Sequence, residues 1–149
     1  MKHHHPQRIL PFLKRLPINI IIISIITMLQ FYWSMGKLSD NMSSGCLSCS
    51  FFEDAAFMSA LTGVFLSVIF SVLFFIKNIY VRAFIQFLLL VLIWIFWDYS
   101  IFVDRESSWS TYDFETEIYY TISLSFIPVL VLGSASIFLL HLKNKNFRP

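Results

Sequence analysis

The sequence predicts an all-α membrane protein: a four-transmembrane-helix antiparallel bundle with both termini in the cytoplasm. Apolar residues make up 57% of the chain and the mean hydropathy is +0.71, which is too apolar for an ordinary soluble domain. These residues gather in stretches of about 20, the length that a helix needs to cross a hydrocarbon core of about 30 Å. The four stretches are 16–34, 55–76, 83–103 and 118–142.

Charge divides between the two sides of these stretches. Nine of the eleven Lys and Arg residues fall in the N-terminal arm, the 77–82 connection and the C-terminal tail, and all nine Asp and Glu residues lie towards the other side. Short loops rich in Lys and Arg stay in the cytoplasm. We therefore expect a multi-pass protein of the cell membrane, inner or plasma. Its parts are a basic cytoplasmic arm (1–15), a transmembrane domain (16–142), outer loops at 35–54 and 104–117, and a basic cytoplasmic tail (143–149).

The first stretch is predicted to be a retained helix and not a cleavable signal peptide. It is longer than the apolar part of a typical signal peptide, and no A-x-A-like cleavage site follows it. It ends in Gln30-Phe31-Tyr32-Trp33, whose aromatic pair favours a membrane–water boundary. Three histidines at 3–5 bind metal only weakly, so we predict no metal site.

Helix 2 carries small residues at every fourth position. Small side chains in this register let another helix approach closely and permit hydrogen bonds between helices. We predict a tight packing seam there, with the lining of a conduction path as the alternative. The residues are Ala55, Ser59, Gly63, Ser67 and Ser71.

Helix 3 contains one charged residue, Asp98. An ionisable residue inside a spanning helix is a candidate functional site. The neighbouring Trp97 and Tyr99 favour a different interpretation, in which the helix ends at Trp97 and Asp98 lies at the membrane boundary. Gln30 and Gln86 are predicted to make intramembrane hydrogen bonds between helices.

The second outer loop is acidic and contains aromatic residues. Such a surface suits a basic protein partner, because charge steers the approach and aromatic side chains supply contact energy. A solvated loop without a partner is the alternative. The predicted partner-binding residues are Asp104, Glu106, Trp109, Asp113, Glu115 and Glu117.

Cys46-Leu47-Ser48-Cys49 is the motif that fits redox chemistry. The predicted topology places it outside the cytoplasm, where disulfides persist. In many oxidoreductases this spacing lowers the pKa of the first thiol. A structural disulfide and two thiols without a role both remain open.

In outline the chain resembles the four-helix, quinone-coupled disulfide oxidases of the bacterial inner membrane. They share cytoplasmic termini and a C-x-x-C in the first outer loop, which Cys46 and Cys49 match. The resemblance implies a thiol–disulfide oxidoreductase with these cysteines as catalytic residues and quinone as its electron acceptor. The second outer loop here lacks the second cysteine pair of that family, and no arginine follows Cys49 closely.

Hydrolytic and nucleic-acid functions have no support in the sequence. It contains no Gly-rich phosphate loop, no Ser/His/Asp set on one side and no nucleic-acid signature. We expect a non-enzymatic accessory, partner-binding or immunity-type protein that sits in the lipid bilayer and contacts a membrane or extracytoplasmic protein through its outer loops. No cofactor is expected for such a protein. Quinone would be a cofactor only if the chain is a thiol–disulfide oxidoreductase. A small transporter that uses Asp98 is a third hypothesis.

Overall fold

The computed structural model describes residues 9–73 and 75–146, with side chains at 16–73 and 75–140. The predicted basic arm and basic tail lie outside the side chains described. Four helices, each containing a segment long and apolar enough to cross a membrane, make this an all-helical multi-pass membrane protein, as predicted. They are α1 (Ile9–Met35), α2 (Phe51–Leu73), α3 (Ile79–Arg105) and α4 (Phe114–Asn146), with short 3-10 helices at Gly36–Leu38 and Ser107–Trp109.

Helix α2 begins at Phe51, four residues before the apolar stretch that the sequence indicates. The backbone N–H of Glu53 donates to Ser50 Oγ at 3.3 Å, and Ser50 N–H donates to Glu53 Oε2 at 2.9 Å. This reciprocal pair is a capping box, which satisfies two N–H groups that the first turn of a helix leaves without partners. The cap therefore sets the start of α2.

Helices α3 and α4 also begin earlier than their apolar stretches, again at side-chain caps. Asn78 Oδ1 accepts hydrogen bonds from two backbone N–H groups in the first turn of α3. Asp113 Oδ1 accepts the backbone N–H of Thr116 at 2.9 Å at the start of α4. Hydrogen bonding from Thr116 holds the pKa of Asp113 below its ordinary value. Polar caps thus start both helices before the apolar stretches that the sequence indicates.

The helices pack in sequential pairs, α1 against α2 and α3 against α4, and α1 also contacts α4. Two indole hydrogen bonds join different helices. Trp94 Nε1 donates to Thr27 Oγ1 at 3.0 Å, linking α3 to α1, and Trp97 Nε1 donates to Thr62 Oγ1 at 2.9 Å, linking α3 to α2. Such bonds between membrane helices contribute about 0.6 kcal/mol each.

Polar residues lie inside the bundle and apolar residues cover its outside. On α1, Thr27, Gln30 and Ser34 are buried, whereas Ile21 and Ile25 are exposed. A helix on the surface of a soluble protein shows the opposite arrangement. Exposed apolar side chains on all four helices fit contact with lipid, and the polar interior supplies hydrogen bonds between helices.

The small residues of α2 form its contact with α1. A Cβ atom added to Gly63 would overlap Ser24 Oγ and lie 2.9 Å from the carbonyl oxygen of Ile20. Ala55, Ser59 and Ser67 are buried on the same face. Ser71, one turn further, donates its hydroxyl to the carbonyl of Ser67 at 2.7 Å. The backbones of the two helices therefore come closest at Gly63.

Substituting Gly63→Ala should lower the free energy of unfolding by about 1–3 kcal/mol, because rotating a side chain cannot relieve overlap with a backbone carbonyl. Thermal unfolding in mild detergent measures the change. Gly36→Ala is the matched control, since its added Cβ would come no closer than 4.0 Å to Tyr32 Cδ1. Equal midpoints for both variants would contradict close packing at Gly63.

Candidate functional site

The loop joining α1 to α2 and the loop joining α3 to α4 lie together at one end of the bundle, which we call the two-loop end. Ser44 N–H donates to Asp104 O at 3.0 Å, Asn41 Nδ2 to Glu106 Oε2 at 2.8 Å, and Trp109 Nε1 to Met42 O at 2.9 Å. These bonds join segments that are about 60 residues apart in the sequence. The two loops consequently form one surface.

Arg105, the last residue of α3, connects both loops to the start of α2. Its side chain is only 2% exposed and forms an ion pair with Asp54 at 2.5 Å. The guanidinium group also donates to the carbonyl oxygens of Asn41 at 2.7 Å and Cys49 at 3.4 Å. It lies 5.4 Å from the ring centroid of Phe51. Five donors in a rigid plane allow one arginine to hold all these groups.

Asp104 holds the same loop from the neighbouring position. Its Oδ1 accepts hydrogen bonds from Ser44 Oγ and from the backbone N–H of Gly45, both at 2.9 Å. Asp104 is a predicted partner-binding residue, but its carboxylate accepts hydrogen bonds within the protein itself.

The C-x-x-C motif forms a disulfide between Cys46 and Cys49 at the two-loop end. Cys49 N–H donates to the carbonyl of Cys46 at 3.0 Å, and Cys46 N–H donates to Ser43 Oγ at 3.1 Å. Both cysteines are partly exposed, and the side chain of Leu47 between them is 71% exposed. The disulfide thus lies in a small surface turn with Leu47 at its tip.

The remaining predicted partner-binding residues divide into two groups. Glu117 accepts hydrogen bonds from Tyr99 OH at 2.8 Å and from Ser107 Oγ, Asp113 caps α4, and Glu106 accepts from Asn41. These carboxylates have structural roles. Glu115 and Trp109 are exposed, with 56% of the Trp109 surface accessible.

Met42 and Leu47 are the most exposed apolar residues of the first loop, and neither is among the site residues predicted from the sequence. Met42 lies beside Trp109 in a shallow cleft whose lining also includes Glu106 and Arg105. Two apolar residues in an otherwise polar loop could have indicated a contact surface from the sequence, because they lie outside the helices and do not pack against one. The proximity of Met42 to Trp109, however, depends on how the loops meet.

Asp98 lies inside the bundle and is fully buried. Helix α3 continues to Arg105, so the interpretation in which it ends at Trp97 does not match the structure. Gln30 Nε2 donates to Asp98 Oδ2 at 2.7 Å, and Ser34 Oγ donates to Asp98 Oδ1 at 2.9 Å. Gln30 Nε2 also lies 3.1 Å from Ser34 Oγ. The structure therefore brings Asp98 and Gln30 together, two of the three intramembrane polar residues selected from the sequence.

Gln86, the third of these residues, is buried in α3 at a distance from this cluster. It precedes Asp98 by twelve residues, which is about 18 Å along a helix. Gln86 therefore lies too far along α3 to contact the Asp98 carboxylate.

Neither a protein-family model nor a curated protein nor a solved structure matches this chain.

Replacing Arg105 with Gln should lower the free energy of unfolding by about 1–3 kcal/mol, because it leaves the Asp54 carboxylate and two carbonyl oxygens without their charged donor. Hydrogen exchange of residues 41–54 should increase as the first loop loosens. Lys37→Gln removes an exposed positive charge at the same end and serves as the control. Unchanged exchange in the Arg105 variant would show that the loop is held by other contacts.

Proposed function

We propose that this chain is a non-enzymatic accessory or immunity-type protein that binds another membrane or extracytoplasmic protein through its two-loop end. One observation carries the proposal. Asp104 and Arg105 hold together two loops that are far apart in the sequence, and the combined surface has exposed apolar side chains. A surface that is already ordered loses little conformational entropy when a partner binds.

Leu47, Met42 and Trp109 supply the apolar part of this surface. Trp is enriched among residues that dominate binding energy, and the hydrogen bond from Trp109 to the Met42 carbonyl orients the indole ring. The exposed Glu115 and the surrounding carboxylates contribute negative charge at the rim. That charge favours a partner with a basic rim, because complementary charge raises the association rate.

The same proposal includes an antiparallel bundle in the inner or plasma membrane, with both termini in the cytoplasm and the two-loop end outside. Contacts between Arg105 and Asp54, and between Tyr99 and Glu117, support it, since they join the end of α3 to the starts of α2 and α4. The connection at 77–82 carries Lys77 and Arg82, which favours a cytoplasmic position.

Purification in mild detergent should retain a specific membrane or extracytoplasmic protein, identified by mass spectrometry. The double variant Leu47→Ser, Trp109→Ala should reduce its retention at least about tenfold, because it removes the apolar centre of the surface. Phe138→Ala, which removes an exposed ring from α4 far from the two-loop end, is the control. Equal retention by all three proteins would exclude this surface as the binding site.

A thiol–disulfide oxidoreductase is the second candidate, favoured by the partly exposed disulfide and by its C-x-x-C spacing, which in many oxidoreductases lowers the pKa of the first thiol. In the proposed reaction a thiolate of the substrate protein attacks the Cys46–Cys49 disulfide, forming a mixed disulfide. A second thiol of the substrate then attacks the substrate sulfur of the mixed disulfide and releases the cysteine thiolate. The substrate leaves with a disulfide, and Cys46 and Cys49 are both reduced. A quinone accepts two electrons and two protons, restoring the disulfide.

For this candidate, equilibration with defined thiol buffers should give a reduction potential above about −300 mV. The double variant Cys46→Ser, Cys49→Ser should abolish oxidation of a dithiol substrate, with Ser48→Ala as the control inside the same turn. After reduction of intact cells with an impermeant reagent, impermeant maleimide should label both cysteines.

A lower potential would identify a structural disulfide. Labelling that requires cell lysis would contradict both this candidate and the proposed orientation.

A further inference from the structure

Asp98 brings a carboxylate into the interior of the bundle, where its contacts among the described side chains are all neutral. Gln30 and Ser34 of α1 donate to its two oxygens, and Ser125 of α4 faces the same carboxyl group. Arg105, further along α3, is engaged with Asp54. A carboxylate held by neutral groups inside a membrane protein is costly unless something balances its charge.

Several oxygen atoms near Asp98 also lack partners. Four buried side-chain atoms in the described part of the chain have no hydrogen-bond partner, and three of them are Gln30 Oε1, Ser125 Oγ and Thr121 Oγ1. All three residues are at most 1% exposed. Gln30 and Ser125 are neighbours of Asp98, and Thr121 lies one turn from Ser125 on the same face of α4. Ser125 Oγ faces the carboxyl group without reaching hydrogen-bond geometry.

The fourth unpaired atom is Ser67 Oγ on α2, but other serines within the helices do pair their hydroxyl groups. Ser71 and Ser136 donate to the carbonyl oxygens of Ser67 and Leu132 in the preceding turn, at 2.7 and 2.6 Å. This is the usual partner of a serine within a helix. Ser125 does not use it, and its oxygen remains available to the Asp98 group.

A proton on Asp98 would remove the charge but would supply a donor to only one oxygen. A cation would balance the carboxylate and coordinate several oxygens at once. Carboxylate, amide and hydroxyl oxygens are ligands of hard cations, and the one negative charge of the group matches one positive charge. We propose that Asp98, Gln30 and Ser125 form a binding site for a small monovalent cation, Na⁺ in particular.

This site draws one ligand from each of α1, α3 and α4, while Ser34 positions the carboxylate through its hydrogen bond. A cation bound there stabilises the packing of three helices, because only the folded bundle brings the ligands together. The site is independent of the two-loop end, so failure of the cation test leaves the partner-binding proposal unaffected.

The test uses the full chain in mild detergent at constant pH and ionic strength, with NaCl replacing choline chloride stepwise. The thermal unfolding midpoint should rise with Na⁺ and saturate, by about 3 °C or more. The same concentration of KCl should raise it less, because K⁺ is the larger ion.

Two variants assign the effect to this site. Asp98→Asn keeps the shape of the side chain and should abolish the rise. Ser125→Ala should increase the half-saturating Na⁺ concentration about tenfold, as loss of a metal-site contact commonly does. Ser136→Ala is the matched control on α4, since that hydroxyl bonds to its own helix, and it should respond to Na⁺ as the unmodified protein does.

Equal midpoints in NaCl, KCl and choline chloride would overturn the proposal, as would a Na⁺ response that persists in Asp98→Asn. A midpoint that depends on pH but not on Na⁺ would identify Asp98 as a protonation site and exclude the cation. Should Asp98→Asn fail to fold, the difference between Ser125→Ala and Ser136→Ala decides: a shift in Ser125→Ala alone supports the site, and identical responses exclude it.

Discussion

Polar groups inside a membrane-spanning bundle have no water to bond, and that constraint accounts for the hydrogen bonds between its helices. Trp94, Trp97 and Asp98 all lie on α3 and each finds its partner on another helix. Apolar contacts distinguish poorly between one helix neighbour and another in lipid, because lipid chains are as apolar as leucine side chains. The polar partners of α3 therefore specify which helices surround it and in which rotation.

Hydrogen bonds from α3 also explain how the two-loop end is built. Loops carry backbone groups that no regular hydrogen-bond pattern satisfies, and here the last residues of α3 satisfy several of them. Arg105 bonds to two carbonyl oxygens and Asp104 accepts hydrogen bonds from two backbone N–H groups, so α3 holds the first loop at several points. A surface fixed in this way suits recognition of a partner better than a freely moving loop would.

Helix α3 connects the two candidate sites. Arg105 follows Asp98 by seven residues, about 10 Å along the helix. Both side chains are ionisable and buried, but their surroundings differ. The charge of Arg105 is balanced by Asp54 at the end of the bundle, whereas the contacts of Asp98 are neutral oxygen and nitrogen atoms. This difference separates Arg105, which holds the loops together, from Asp98, for which we propose cation binding.

The sequence by itself determined the number of helices and their approximate positions, because the length and composition of a membrane span are local properties. It also selected Asp98, Gln30 and the C-x-x-C motif, because a charge in an apolar stretch and a cysteine spacing are visible without a fold. Only the tertiary structure decided that Arg105 reaches Cys49, that Gln30 reaches Asp98, and that four acidic residues serve as structural partners. Apart from the local cap at Asp113, these contacts join residues on different elements, and their geometry depends on the rotation and depth of packed helices, which periodicity alone does not specify.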